Sequence, residues 1–157
     1  MYCAMVRTLA LLRHGLASGQ GPDAALAPEG VRQVERLAAA LRANAWRPDL
    51  VMSSPYTRAL ESARTFARGV GVSAPPVVLH ELLPEREPLE ALQAIDDAAP
   101  NLASIVVVTH LPLVGRLTFE LTHQEVAFSP GTFVELRHDG NGYAQLVRRI
   151  APQELAK

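Results

Sequence analysis

Leu11-Leu12-Arg13-His14-Gly15 is an apolar run that breaks off in a cation, an imidazole and a glycine. It reads as the end of a buried β-strand delivering two side chains able to hold or attack an anion, with the glycine letting the backbone turn sharply behind them. Much later in the chain, Ser104-Ile105-Val106-Val107-Val108-Thr109-His110 repeats the plan: a buried strand with a histidine where it stops. In open α/β sheets, ligands sit outside the carboxyl ends of the strands. His14 and His110 are therefore candidates for one site.

Outward from these two stretches, strands and helices alternate. Arg7 to Arg13 is the first strand, with Thr8 to Leu12 almost wholly apolar, as a strand covered on both faces should be. A loop rich in glycine, serine and proline follows from His14 to Ala27. Pro28 then opens a helix to Ala43, with Glu29 in its first turn and Val31, Val34, Leu37, Ala38 and Leu41 facing inward. Leu50-Val51-Met52 is a second strand. Ser54 is read as the N-cap and Pro55 as the first residue of a second helix, whose buried stripe is Leu60, Ala63, Phe66 and Ala67 and which ends at Gly69 to Gly71.

Val77 to Leu79 is a short third strand, followed by an acidic loop from His80 to Glu87. Pro88 opens a helix through Leu89, Leu92 and Ile95, stopping before Pro100. After the fourth strand, Pro112 starts a helix with Leu113, Leu117 and Leu121 inside. Thr132 to Arg137 and Tyr143 to Arg149 flank Asp139-Gly140-Asn141-Gly142, a strong β-hairpin signal. The pattern predicts an α/β fold: a three-layer αβα sandwich on a mostly parallel open sheet, with an antiparallel edge contributed by the C-terminal hairpin.

The chain has 157 residues, which suits one domain over 1–157, with 1–6 as a loose leader and Met5 as a possible functional start. A net charge of −1 gives no reason to expect nucleic acid or a membrane surface as partner. No apolar run approaches the ~20 residues of a transmembrane helix. Cys3 is the only cysteine, which excludes an intrachain disulfide and a cysteine-rich metal site and fits a cytoplasmic setting. The only lysine is Lys157, so neither a Walker-type phosphate loop nor a Schiff-base enzyme can be built. An anion in a pocket must be held by arginine, histidine and backbone N–H groups.

Arg13, His14, Arg58 and His110, considered together, form a candidate set for that role. Three lie at carboxyl ends of strands, and Arg58 lies in the first turn of the helix after the second strand, beside free N–H groups. A transferring phosphoryl group needs positive charge on its peripheral oxygens and a nucleophile in line with the leaving group. Arginine supplies forked donors matched to those oxygens. One neutral imidazole can attack phosphorus while the other steadies the oxygens. Taken singly, each residue has a blander reading; an arginine on an Ala-rich helix usually faces solvent. The joint pattern is what points to phosphate chemistry. His80 is assigned a surface role, and His123 (at a helix end) and His138 (at the hairpin) no chemistry.

Leu12-Arg13-His14-Gly15 resembles the signature of the histidine phosphatase superfamily, the phosphoglycerate-mutase-like enzymes. Ser54-Pro55-Tyr56-Thr57-Arg58-Ala59 is similar to its second motif and Thr109-His110 to its late histidine. His110-Leu111-Pro112-Leu113-Val114-Gly115 resembles more specifically the SixA branch, the short bacterial phosphohistidine phosphatases. The resemblance implies His14 as a transiently phosphorylated nucleophile. Arg13, Arg58 and His110 would complete the phosphate pocket, and water would hydrolyse the intermediate without metal or cofactor. The sequence departs from the pattern in the loop Leu16-Ala17-Ser18-Gly19-Gln20 and at Ser62, where many relatives have threonine.

Larger relatives protonate an alkoxide leaving group with a carboxylic acid after the third strand. Glu81 stands in that place, with Glu85 and Glu87 as less favoured stand-ins and a solvated acidic loop as the bland alternative. Phosphohistidine relaxes the need, since imidazole (reference pKa ~6.5) leaves far more readily than an alkoxide. The His80–Glu87 loop is too short for a helical lid, so the pocket is expected to be open. The expected partner is a protein carrying phosphohistidine. The alternatives are a small phosphate ester, with Glu81 as acid, and a phosphate-binding module without turnover.

Overall fold

The computed structural model describes residues 6–140 and 142–155. Most of the expected leader, with Cys3 and Met5, lies outside that range, as do Asn141 of the hairpin turn and Lys157. β1 (Arg7–Arg13), β2 (Leu50–Ser53), β3 (Val77–Val78) and β4 (Ser104–Thr109) are parallel. β5 (Phe133–His138) and β6 (Gln145–Ile150) form the terminal hairpin. The order across the sheet is β3-β2-β4-β1-β5-β6, with β5 antiparallel to β1 and to β6. This is the expected mixed sheet with an antiparallel edge.

Among the described residues, four helices cover it: α1 (Pro28–Ala43), α2 (Thr57–Val70), α3 (Pro88–Ala98) and α4 (Leu113–Thr122). The unbroken apolar runs of β1 and β4 follow from that covering, because alternate side chains enter different layers. Leu9 and Leu11 join Ile105, Val107 and Met52 against Ile95 of α3 and Leu113 and Leu117 of α4. Ala10 and Leu12 join Val106 and Val108 against Val34 and Leu37 of α1 and Phe66 of α2. Each fully buried leucine or phenylalanine contributes about 1.5–3 kcal/mol, so both layers hold the strand ends in place.

Several local expectations are corrected. α2 begins at Thr57 rather than Pro55, after an extended Tyr56 at φ −63°, ψ 140°. Ser54 caps nothing there, since no cap side-chain bond closes this helix and Ser54 is engaged elsewhere. Leu60 is half-buried while Ser62 is buried, the inward stripe of α2 being shifted toward the loop after β1. α4 begins at Leu113, with Pro112 as its cap position. β3 has two residues, and the loop after it opens with a single 3-10 turn at His80–Leu82.

Gly15 has no positive φ; the glycines with one are Gly21, Gly71, Gly131, Gly140 and Gly142. What Gly15 supplies is room: a Cβ there would stand 2.6 Å from the carbonyl oxygen of Gly30. A Cβ on Gly30 in turn would stand 2.1 Å from Leu16 O. The loop after β1 and the first turn of α1 therefore touch backbone to backbone.

Candidate active site

Strand register brings the two histidines together. Arg13 is level with Thr109 in the β1–β4 ladder, and the His14 N–H donates to Thr109 O at 3.1 Å. His14 and His110, the next residues, thus leave the sheet side by side, with ring centroids 5.0 Å apart at 56°. β2 ends at the same level, Ser53 opposite Val108, and the Ser54 N–H donates to Val108 O at 3.2 Å. Ser54 Oγ then lies 2.5 Å from His110 Nε2.

Arg58 comes from the first turn of α2. Its guanidinium donates to Gly21 O at 2.6 Å and lies 5.1 Å from the Tyr56 ring centroid, a cation–π contact. Tyr56 meets the His110 ring edge-on at 5.0 Å. Arg13 donates from Nη1 to Phe128 O at 2.8 Å. The four residues named from the sequence share one electrostatic neighbourhood: Arg13 and Arg58 both act on each imidazole, and Arg58 acts on Arg13.

That neighbourhood disfavours added protons. Burial first, then Arg58 and Arg13, push the His14 pKa down to about 4, against an opposing hydrogen bond to Gly15. Burial, His14 and the two arginines push His110 to about 3. Burial and Arg58 also lower Arg13. Both imidazoles are therefore neutral near pH 7. His14 Nδ1 lies 2.8 Å from Gly15 O. A carbonyl only accepts, so Nδ1 carries the proton and Nε2 carries the lone pair. Arg13 Nε and His110 Nδ1 are buried without a hydrogen-bond partner. Buried polar groups are nearly always paired; Arg13 Nε can only donate and calls for an acceptor such as an oxyanion, and His110 Nδ1 beside it calls for a partner that its tautomer decides.

A second set of residues holds the first, and sequence reasoning missed most of it. Ser62 Oγ accepts from the Gly15 N–H at 3.0 Å and donates to Arg58 O at 2.7 Å, tying α2 to the loop after β1. Gln33 Oε1 accepts from Leu16 N–H, and Glu61 Oε1 from Leu26 N–H. Ser62 had a signal, its place one turn after Arg58; Gln33 and Glu61 had none. Thr109 Oγ1 donates to Leu82 O at 2.6 Å, anchoring the 3-10 turn that carries Glu81 to the end of β4.

Glu81 is half-buried; Glu85 and Glu87 are exposed, and Glu87 pairs with Arg116 at 3.2 Å. His80 is exposed. His123 sits at the end of α4 between Phe119 and Tyr143, and His138 bonds Gly142 O; neither approaches the cluster by any contact described. Among the described residues, no group of three or more His, Cys, Asp or Glu side chains is placed to hold a metal ion. No helix of the described residues is long and apolar enough to cross a membrane.

The profile of the histidine phosphatase superfamily (branch 1) matches residues 9–89. The fold is similar to that of the protein histidine phosphatase SixA complexed with tungstate, with a TM-score of 0.83 and 25% identity over 93% of this chain and 97% of that one. A protein assigned as the phosphohistidine phosphatase SixA of Nakamurella multipartitia gives 0.79 at 24% identity, covering 96% and 99%. A phosphoserine phosphatase mutant from Entamoeba histolytica, in complex with phosphoserine, gives 0.75 at 16%, covering 96% and 100%. No curated protein sequence matches the chain.

Proposed function

We propose, from the premise that this chain belongs to the histidine phosphatase superfamily, that it hydrolyses protein-borne phosphohistidine through a phosphorylated His14. The observation that carries the reading is the state of that ring. Its Nδ1–H is spent on Gly15 O, and its depressed pKa leaves Nε2 as a free lone pair at neutral pH.

Nε2 attacks phosphorus, the phosphorus–nitrogen bond of the substrate breaks, and the departing imidazole takes a proton from solvent. Water then attacks the phosphoryl group on His14, losing a proton to solvent and releasing inorganic phosphate and neutral His14. Arg13 and Arg58 donate to the peripheral oxygens, where each charge-assisted bond contributes about 1.5–3 kcal/mol. That contribution matters most as charge redistributes in the transition state. Neither step draws on a metal or cofactor. The single cysteine fits a cytoplasmic setting.

Phosphohistidine is favoured over an ester because imidazole leaves without a dedicated acid. It is favoured too because the segment between β3 and α3 holds one 3-10 turn and no covering helix. The similarity to SixA, at 25% identity, supports the same choice. A small phosphomonoester substrate is the second reading. It rests on Glu81, half-buried on a turn that Thr109 ties to the site, and it assigns that carboxyl group as general acid. A panel of a phosphohistidine protein, p-nitrophenyl phosphate, phosphoserine and sugar phosphates separates the two. Faster turnover of the phosphohistidine protein supports the first reading, and preference for an ester supports the second. Phosphate binding with no turnover on the whole panel would leave a binding module.

A further inference from the structure

Ser54 is fully buried, and its hydroxyl is the only group described as bonding His110 Nε2. The backbone N–H of Tyr56 donates to the same oxygen at 3.3 Å. Neutral His110 has two proton arrangements. In the first, Nε2 carries the proton and donates to Ser54 Oγ. The hydroxyl hydrogen then finds no acceptor among the contacts described, and buried Nδ1 presents a lone pair in a cluster shaped for an anion. In the second, the hydroxyl donates to Nε2, Oγ accepts from Tyr56 N–H, and Nδ1–H is left as a donor. The second arrangement satisfies every atom but one, and an oxyanion completes it.

We infer that Ser54 is a positioning residue that holds His110 as the Nδ1–H tautomer, making this ring a hydrogen-bond donor to the bound phosphoryl oxygens. Its effect on turnover rests on the phosphatase reading above; the tautomer and its effect on oxyanion binding do not. The two neighbouring imidazoles are then set in complementary roles by two neutral groups. The carbonyl of Gly15 puts the lone pair of His14 on Nε2, and the hydroxyl of Ser54 puts the proton of His110 on Nδ1. One ring attacks; the other donates.

Long-range proton–nitrogen NMR of the full chain at pH 7 reads the tautomer directly. The expected wild-type spectrum has His110 protonated at Nδ1. Ser54→Ala should move it to Nε2–H or a mixture. It should also weaken inorganic phosphate binding and lower kcat on the best panel substrate by about tenfold or more. Comparable partners that fix ring tautomers at metal-bound histidines are worth roughly 10–100-fold. Ser54→Thr, which keeps the hydroxyl, should restore both. A wild-type His110 protonated at Nε2 would overturn the inference, whatever the variants do. So would a folded Ser54→Ala protein with unchanged tautomer and phosphate affinity. Absence of turnover on every substrate, with Ser54-dependent phosphate binding intact, would remove the hydrolase reading and leave the tautomer assignment standing.

Discussion

Acidification tests the electrostatics of the site most sharply. With a pKa of about 4, His14 is about nine-tenths neutral at pH 5, whereas an imidazole at its ordinary ~6.5 is only about 3% neutral there. The nucleophile should therefore survive at pH 5 with a roughly thirtyfold advantage over an unperturbed histidine. An NMR titration of His14 in the ligand-free protein should show its midpoint near pH 4. The His14 limb of kcat/KM, which reports the free enzyme, should fall near the same pH once spontaneous hydrolysis is subtracted. Stability must move with it. Above the unfolded value of ~6.5 neither state binds the proton and nothing is lost. As pH drops below 6.5 the unfolded chain takes up the proton first, so stability declines until the folded value is reached. For His14 the gap corresponds to about 3 kcal/mol at full extent, and His110, depressed to about 3, adds in the same direction. Urea unfolding at pH 7.5 and pH 4.5 should differ by a few kcal/mol. A His14 midpoint near 6.5, with flat stability over that range, would refute the reasoning.

Other perturbations have equally definite outcomes. Arg58→Ala should lower kcat/KM by about 10²-fold or more, by analogy with loss of an oxyanion donor. It should also raise the His14 titration midpoint, because Arg58 is among the charges holding it down; an unchanged rate would remove Arg58 from the pocket. Glu81→Gln should abolish ester hydrolysis and spare phosphohistidine hydrolysis, and equal loss on both would count against the preferred substrate. Gly30→Ala forces a Cβ to within 2.1 Å of Leu16 O. It should destabilise the fold by about 1–3 kcal/mol, the usual cost of overpacking, with a matching fall in Tm; a neutral result would mean the loop yields freely.

The architecture was legible because both kinds of period were clean. The apolar runs of β1 and β4 have a single reading, the stripe Val31, Val34, Leu37, Ala38 and Leu41 is buried at all but Val31, which is half-buried, and Pro28 and Pro88 mark helix starts. That the four candidate residues come together is legible for a related reason: in a parallel sheet, strand ends are where side chains meet a ligand. Their partners were not. Ser54 before a proline at a helix start has the composition of a cap, and only the register of β2 against β4 reveals that it faces His110 instead. In the sequence Gly15 reads as a turn residue, but the reason for it lies on Gly30 of α1, a contact that no local pattern encodes. Gln33 and Glu61 act through loop backbone, which leaves no periodic trace, and Ser62 is marked only by its place one turn after Arg58.

Trapping the phosphorylated protein decides the account. Mixed briefly with a phosphohistidine protein carrying labelled phosphate and quenched in alkali, the enzyme should carry label on His14, and His14→Ala should lose label and turnover together. Label recovered on another residue, or turnover surviving in His14→Ala, would contradict the account.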